Sequence, residues 1–141
     1  MKAVVLLSLA LALTACGAHK TASAEDVARS WSAALDRNDN EAAARLFAGD
    51  AKIVQAGELV LHTHKDAVRW NQALPCGGSI VSVTAQGKDE VLMVFTLGER
   101  PQHRCDGPGS RAAAIFRVED GKITLWHQTA VPPPAGDGTI V

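Results

Sequence analysis

The sequence predicts an α+β roll, a curved, mainly antiparallel sheet whose concave side is covered by three N-terminal helices. Three observations lead there. Apolar residues recur at helical spacing through the first half, and two S/T-x-x-D boxes open helices within it. The second half switches to short runs rich in Val, Ile, Phe and Thr, separated by turn residues.

Ser23-Ala24-Glu25-Asp26 is the first capping box, and Val27, Trp31, Ala34 and Leu35 follow on one helical face. Arg37-Asn38-Asp39-Asn40 breaks the pattern. A second short helix is expected with Ala43, Leu46 and Phe47 on one side, stopped by Gly49. Ala51–Gln55 and Leu59–His62 are short β-prone runs around Ala56-Gly57-Glu58. Thr63-His64-Lys65-Asp66 opens a third helix with Ala67, Trp70 and Leu74 inward, and Pro75 stops it because it cannot continue the ladder. Four strands follow as an antiparallel meander, at Ser79–Gln86, Val91–Leu97, Ala112–Val118 and Lys122–Thr129. Asp120-Gly121 is a strong hairpin turn. Pro132-Pro133-Pro134 cannot join a sheet, and 131–141 reads as a disordered tail.

The N-terminus has a separate meaning. Lys2 is followed by an almost unbroken apolar stretch from Ala3 to Leu13, of signal-peptide length and too short to span a bilayer. Leu13-Thr14-Ala15-Cys16 resembles the bacterial lipobox. That resemblance implies a lipoprotein signal peptide over 1–15, cleavage before Cys16, and lipidation at the Cys16 thiol with palmitate among its acyl groups. An ordinary secretory signal cleaved near Ala22-Ser23-Ala24 is the alternative. Residues 16–23 would form a tether, and the membrane would be a partner through the anchor alone. Localisation is expected at the bacterial cell envelope. In a Gram-negative host, Gly17 after the cysteine favours the outer membrane, with the domain facing the periplasm.

The formal charge is −1, and removing Lys2 makes it −2. No basic patch with interleaved aromatics appears, so nucleic acid is not an expected partner. Cys76 and Cys105 remain in a chain that would fold in an oxidising compartment, and an even count there predicts a disulfide. A metal site using His62, His64 or His103 is the alternative. Without a C-x-x-C or H-E-x-x-H cluster, no metal or other cofactor is expected.

The order of elements resembles the nuclear transport factor 2-like superfamily, in particular its polyketide-cyclase-like (SnoaL-like) branch. The matching stretches are AEDVARSWSAALDRNDNEAAARLFAGDAKI, HKDAVRW and AIFRVEDGKITLWHQ, and the resemblance covers about residues 24–130. It implies a cone-shaped roll with a pocket between the sheet and the long first helix, and often a homodimer through the open sheet face. It does not choose a function, because the superfamily holds isomerases, cyclases, hydrolases and proteins without chemistry. This sequence has no Tyr, and no Asp or Glu within Ala112–Val118 or Lys122–Thr129, where the enzymatic branches often carry acid/base carboxylates.

Asp50, His62, Arg111 and His127 are the groups that could still do chemistry. Each also has a structural reading: Asp50 as a turn residue, Arg111 at the rim and His127 within the sheet. Trp126 and His127 are adjacent on the last strand, so only one of them can face the pocket. Trp31, Trp70, Arg111 and His127 are the ligand-pocket candidates, although the apolar helical positions of the two tryptophans favour the core. The expected function is an envelope-anchored, non-catalytic module that binds a small apolar molecule or a protein. A small cofactor-independent isomerase, cyclase or hydrolase using a pocket His/Asp is the alternative.

Overall fold

A computed structural model describes residues 17, 20–134 and 136. Cys16 lies outside the described residues, as does most of the expected tail. The element order is α1 (Ala24–Asp36), α2 (Asn40–Arg45), β1 (Phe47–Val54), β2 (Glu58–Leu61), α3 (His64–Ala73), β3 (Gly77–Gly87), β4 (Glu90–Gly98), β5 (Arg111–Glu119) and β6 (Lys122–Thr129). The fold is the expected α+β arrangement, three helices packed on a curved open sheet.

Both capping boxes form. Ser23 Oγ accepts from the Asp26 amide at 3.1 Å, and Thr63 Oγ1 accepts from the Asp66 amide at 3.1 Å. The Asp66 carboxylate takes the Thr63 amide in return at 3.0 Å. Those Thr63 hydrogen bonds hold the Asp66 carboxyl below its ordinary range. Helix α1 buries Val27, Ala28, Trp31, Ala34 and Leu35 along one stripe, and α3 buries Ala67, Trp70 and Asn71. Leu74 turns to extended backbone (φ −69°, ψ 123°) ahead of Pro75, which ends α3.

The sheet is larger than a four-stranded meander. It has six strands in the order β2-β1-β6-β5-β4-β3, and β1 runs parallel to β6 while all other pairs are antiparallel. The first hairpin therefore closes the sheet beside the last strand. Helix α2 also ends earlier than its apolar spacing predicts. The chain enters β1 at Phe47, because Leu46 already accepts the Ile123 amide at 2.8 Å and the Phe47 ring packs edge-on against Trp70 at 5.6 Å. Gly49 is thus a strand residue and not a helix stop. A register shift between Phe47 and Lys52 accommodates Asp50, which sits at φ +61°. Asp120 and Gly121 take φ +50° and +74°, the backbone a type I′ hairpin requires.

The core gathers Trp31, Trp70, Trp126, Phe116 and Phe47. Trp70 and Trp126 meet edge to face at 5.1 Å, and Trp31 and Phe116 at 5.3 Å. Threaded through it is a chain of polar contacts. Trp31 Nε1 donates to Asn71 Oδ1 at 2.8 Å, and the fully buried Asn71 amide donates to the Ala67 carbonyl at 2.8 Å. The Asn71 carbonyl accepts from Arg100 Nη1 at 2.9 Å. Arg100, on the loop after β4, is only 3% exposed and bonds three further residues. Its Nη1 also donates to the Leu74 carbonyl at 2.9 Å, and its Nη2 to the side-chain oxygens of Asn38 and Asn40 at 2.7 Å each. Burial pushes this guanidinium below its usual pKa, and nearby Asp36 opposes that shift.

Cys76 and Cys105 are joined by a disulfide across 29 residues, with Cα atoms 4.5 Å apart. It pins the start of β3 to the 99–110 loop. On the chain-entropy model, closing that loop stabilises by about 3–4 kcal/mol. The Cys76→Ser/Cys105→Ser double variant should lose about that much in urea unfolding, and non-reducing peptide mapping of the parent should recover the linked pair. Equal stability of parent and variant would contradict the assignment.

Candidate functional site

A cavity of about 270 Å³ lies where the C-terminal half of α1, the α3–β3 junction and the far ends of β4, β5 and β6 converge. This is just under the usual size of small-molecule clefts, about 300–1,000 Å³. Trp31 and Leu35 come from α1, because they lie one helical turn apart on its buried stripe. Phe95, Leu97 and Ala112 come from β4 and β5, and Trp126 and Gln128 from alternate positions of β6. Pro75, Cys76, Gly77 and Gly78 form the lip, with Gln55 and Asp106 also lining the space.

The glycine pair at the lip has a steric cause. The Asp36 carboxylate accepts the Gly78 amide at 2.8 Å and occupies the place a side chain at residue 77 would take. A Cβ at residue 78 would stand 2.8 Å from the Thr96 carbonyl oxygen. Asp36 thereby locks the end of α1 to the start of β3 at the cavity's edge.

The sequence-predicted candidates divide sharply. Trp31 lines the cavity. Trp70 does not: it sits behind, among Phe47, Trp31 and Trp126, and is core. Arg111 begins β5 opposite Thr96, is exposed, and is not part of the lining. His127 pairs with Ile115 and Val54 in register, while its neighbour Trp126 is buried in the helix-covered core. The alternation of the strand therefore points His127 to the other side of the sheet, and among the described residues it has no carboxylate partner. Asp50 and His62 do come together, at 2.8 Å, but on the exposed β1–β2 edge, away from the cavity. His64 is paired separately with Glu41 at 2.7 Å. The potential metal-ligand group among the described residues is Cys76, Cys105 and Asp106, and its two sulfurs are bonded to each other.

Residues that sequence reasoning did not single out complete the site. Asn71 and Arg100 hold its walls, and Ser32, Gln55 and Gln128 supply polar atoms to it. Asn71 carried one signal: it falls on the buried stripe with Ala67 and Trp70, where an amide is out of place unless bonded. Among the described residues, Asp106 is the one ionisable side chain in the lining, and it is exposed. The described lining offers aromatic and aliphatic area, a few hydrogen-bonding groups and the Asp106 carboxylate. Gly78→Ala should force the β3–β4 pairing apart at the lip, destabilising by about 1–3 kcal/mol in thermal or urea unfolding. An unchanged midpoint would contradict that close approach.

Residues 28–126 match the family model described as SnoaL-like domain. A search of curated proteins found no match. Among solved structures, an NTF2-like protein of unknown function from Cytophaga hutchinsonii superposes with a TM-score of 0.63 at 13% identity, covering 79% of this chain and 92% of that one. A Sinorhizobium meliloti protein provisionally labelled a polyketide cyclase gives 0.61 at 20% identity, over 74% of this chain and 94% of its own. A protein from Catenulispora acidiphila with a ketosteroid isomerase-like fold, solved in complex with trimethylamine, gives 0.56 at 16% identity, over 74% and 85%. At these identities the likeness is one of fold. With the family match spanning most of the roll, the chain belongs to the SnoaL-like domain family.

Proposed function

We propose that this protein is an envelope-anchored binding module that holds a small, mainly apolar molecule in the cavity and does no chemistry on it. The observation that carries the reading is the lining: Trp31, Phe95 and Trp126 supply area, while its single ionisable group among the described residues is an exposed carboxylate at Asp106. That composition suits recognition by shape with a few orienting hydrogen bonds. The enzyme alternative drew on His127, which lies across the sheet from the cavity.

The anchor rests on the lipobox-like stretch ending at Cys16. No helix among the described residues is long and apolar enough to cross a membrane. Placement of the tether adds an orientation. Thr21 lies against the β5–β6 turn, its Cγ2 being 3.5 Å from where a Gly121 Cβ would stand. Helix α1 then runs its 13 residues, about 20 Å, to Asp36 at the cavity lip. Five residues of tether reach at most about 18 Å from Thr21 back to Cys16. A lipid at Cys16 would therefore hold the β5–β6 end toward the bilayer, and the cavity would open on the opposite, aqueous side. A second copy of the chain on the open sheet face remains the proposed protein partner.

Native mass spectrometry of the exported protein tests the binding reading. A co-purifying small molecule should appear on the parent and be lost from folded Trp31→Ala, with folding checked by near-UV dichroism. Turnover of a substrate that falls a hundredfold in His127→Ala would overturn it in favour of an enzyme. For the anchor, Cys16→Ser should abolish labelling by an alkyne fatty acid and release the protein from the membrane fraction; unchanged labelling would contradict it.

A further inference from the structure

We propose that a second cleft, at the opposite end of the roll from the cavity, binds the phosphate of an anionic phospholipid. The cleft measures about 310 Å³ and lies where the end of α2 meets the starts of β1, α3 and β6. Arg45, His64 and Lys122 line it, and no carboxylate does among the described residues. Ala44, Phe47 and Ala67 supply apolar area between the charges. Lys122 Nζ donates to the Arg45 carbonyl, which caps the last turn of α2 and holds the ammonium beside the residue that carries the guanidinium. Among the described residues neither Arg45 nor Lys122 is in an ion pair, and both are exposed. Glu119 stands opposite Lys122 in register without pairing to it, whereas Glu41 engages His64 at 2.7 Å and offsets its charge.

The opposite wall leaves room for a ligand. Ala48 and Gly49 pair with neither β2 nor β6 in register, and a Cβ at residue 49 would meet nothing within 4 Å. A phosphate fits such a place, because its oxygens can accept from a guanidinium and an ammonium together. Location decides where the phosphate comes from, and this step rests on the anchor reading. Lys122 follows Gly121, against which Thr21 of the tether lies. The tether spans at most about 18 Å from Thr21 to Cys16, so a lipid there brings headgroups of its own leaflet to the cleft. Basic residues at that distance are attracted to anionic headgroups.

The exported protein, ¹⁵N-labelled and in neutral maltoside micelles, is titrated with dihexanoyl phosphatidylglycerol, dihexanoyl phosphatidylcholine and inorganic phosphate. The phosphatidylglycerol should shift the amide signals of Ala48, Gly49 and His64, and bind more tightly than the other two. Arg45→Gln and Lys122→Gln should each weaken it about fivefold, the worth of one basic residue against anionic lipid. Lys88→Gln should not, although its turn lies at the same end, where the Asp89 carbonyl accepts the Val118 amide. If loss of the Lys122 bond to α2 prevents folding, Arg45→Gln decides, since that side chain makes no hydrogen bond among the described residues. Equal weakening by all three substitutions would mean diffuse attraction and overturn the site. Inorganic phosphate binding as tightly as the phosphatidylglycerol would overturn the lipid assignment, and unmoved amides with every probe would overturn the whole proposal. The titration does not use the Cys16 lipid, so failure of fatty-acid labelling would refute the anchor and leave this readout intact.

Discussion

The side chain and carbonyl of Asn71 hold together the parts of the molecule that surround the cavity. The side-chain amide orients Trp31 on α1 and satisfies its own helix at Ala67, while the backbone carbonyl accepts from both Arg100 and the Leu74 amide. Arg100 passes the constraint on to the end of α3 and to the α1–α2 turn, where Asn38 sits at φ +57°. An isolated buried amide or guanidinium is costly, so these groups are stable only as a set. Three walls that approach the cavity from distant parts of the chain are thereby fixed relative to one another. The disulfide and the Asp36–Gly78 bond close the remaining side.

The roll supplies a concave sheet and a helix across it, which members of one superfamily can furnish with carboxylates, tyrosines or histidines. Here positions facing the cavity are taken by Trp31, Phe95, Leu97, Ala112 and Trp126, and Asp106 also borders it. Asp50, His62, His64 and Glu41 form exposed pairs, which contribute little to stability and are open to water. His127 is separated from the cavity by the thickness of the sheet itself.

Much of the fold was legible because local chemistry decided it. Ser23 and Thr63 announced their helices three residues ahead of Asp26 and Asp66, Pro75 ended one, and Asp120-Gly121 fixed the last hairpin. The junction at Phe47 was not legible. Its apolar spacing continues that of α2, and only the long-range parallel pairing with β6 draws it into a strand. The cavity was half legible for the same reason. Trp31 and Trp70 occupy equivalent helical positions, and only the packing of α3 behind α1 makes one wall and the other core. Arg100 gave no signal of its role, since nothing nearby in sequence shows that its partners lie about thirty and sixty residues away. Which of Trp126 and His127 faces inward depended on sheet parity, which no single strand reveals.

The coupling between Trp31 and Asn71 is the most direct measure of whether this polar chain builds the cavity. A double-mutant cycle on Trp31→Phe and Asn71→Leu, read by urea unfolding, cancels the loss of ring volume and isolates the N–H···O contact. Each single change leaves a buried group without its partner, whereas the double removes both. The account predicts that the double variant is more stable than the sum of the singles by about 1–2 kcal/mol. Strict additivity of the two substitutions would contradict it, and Trp31 would then owe its placement to apolar packing.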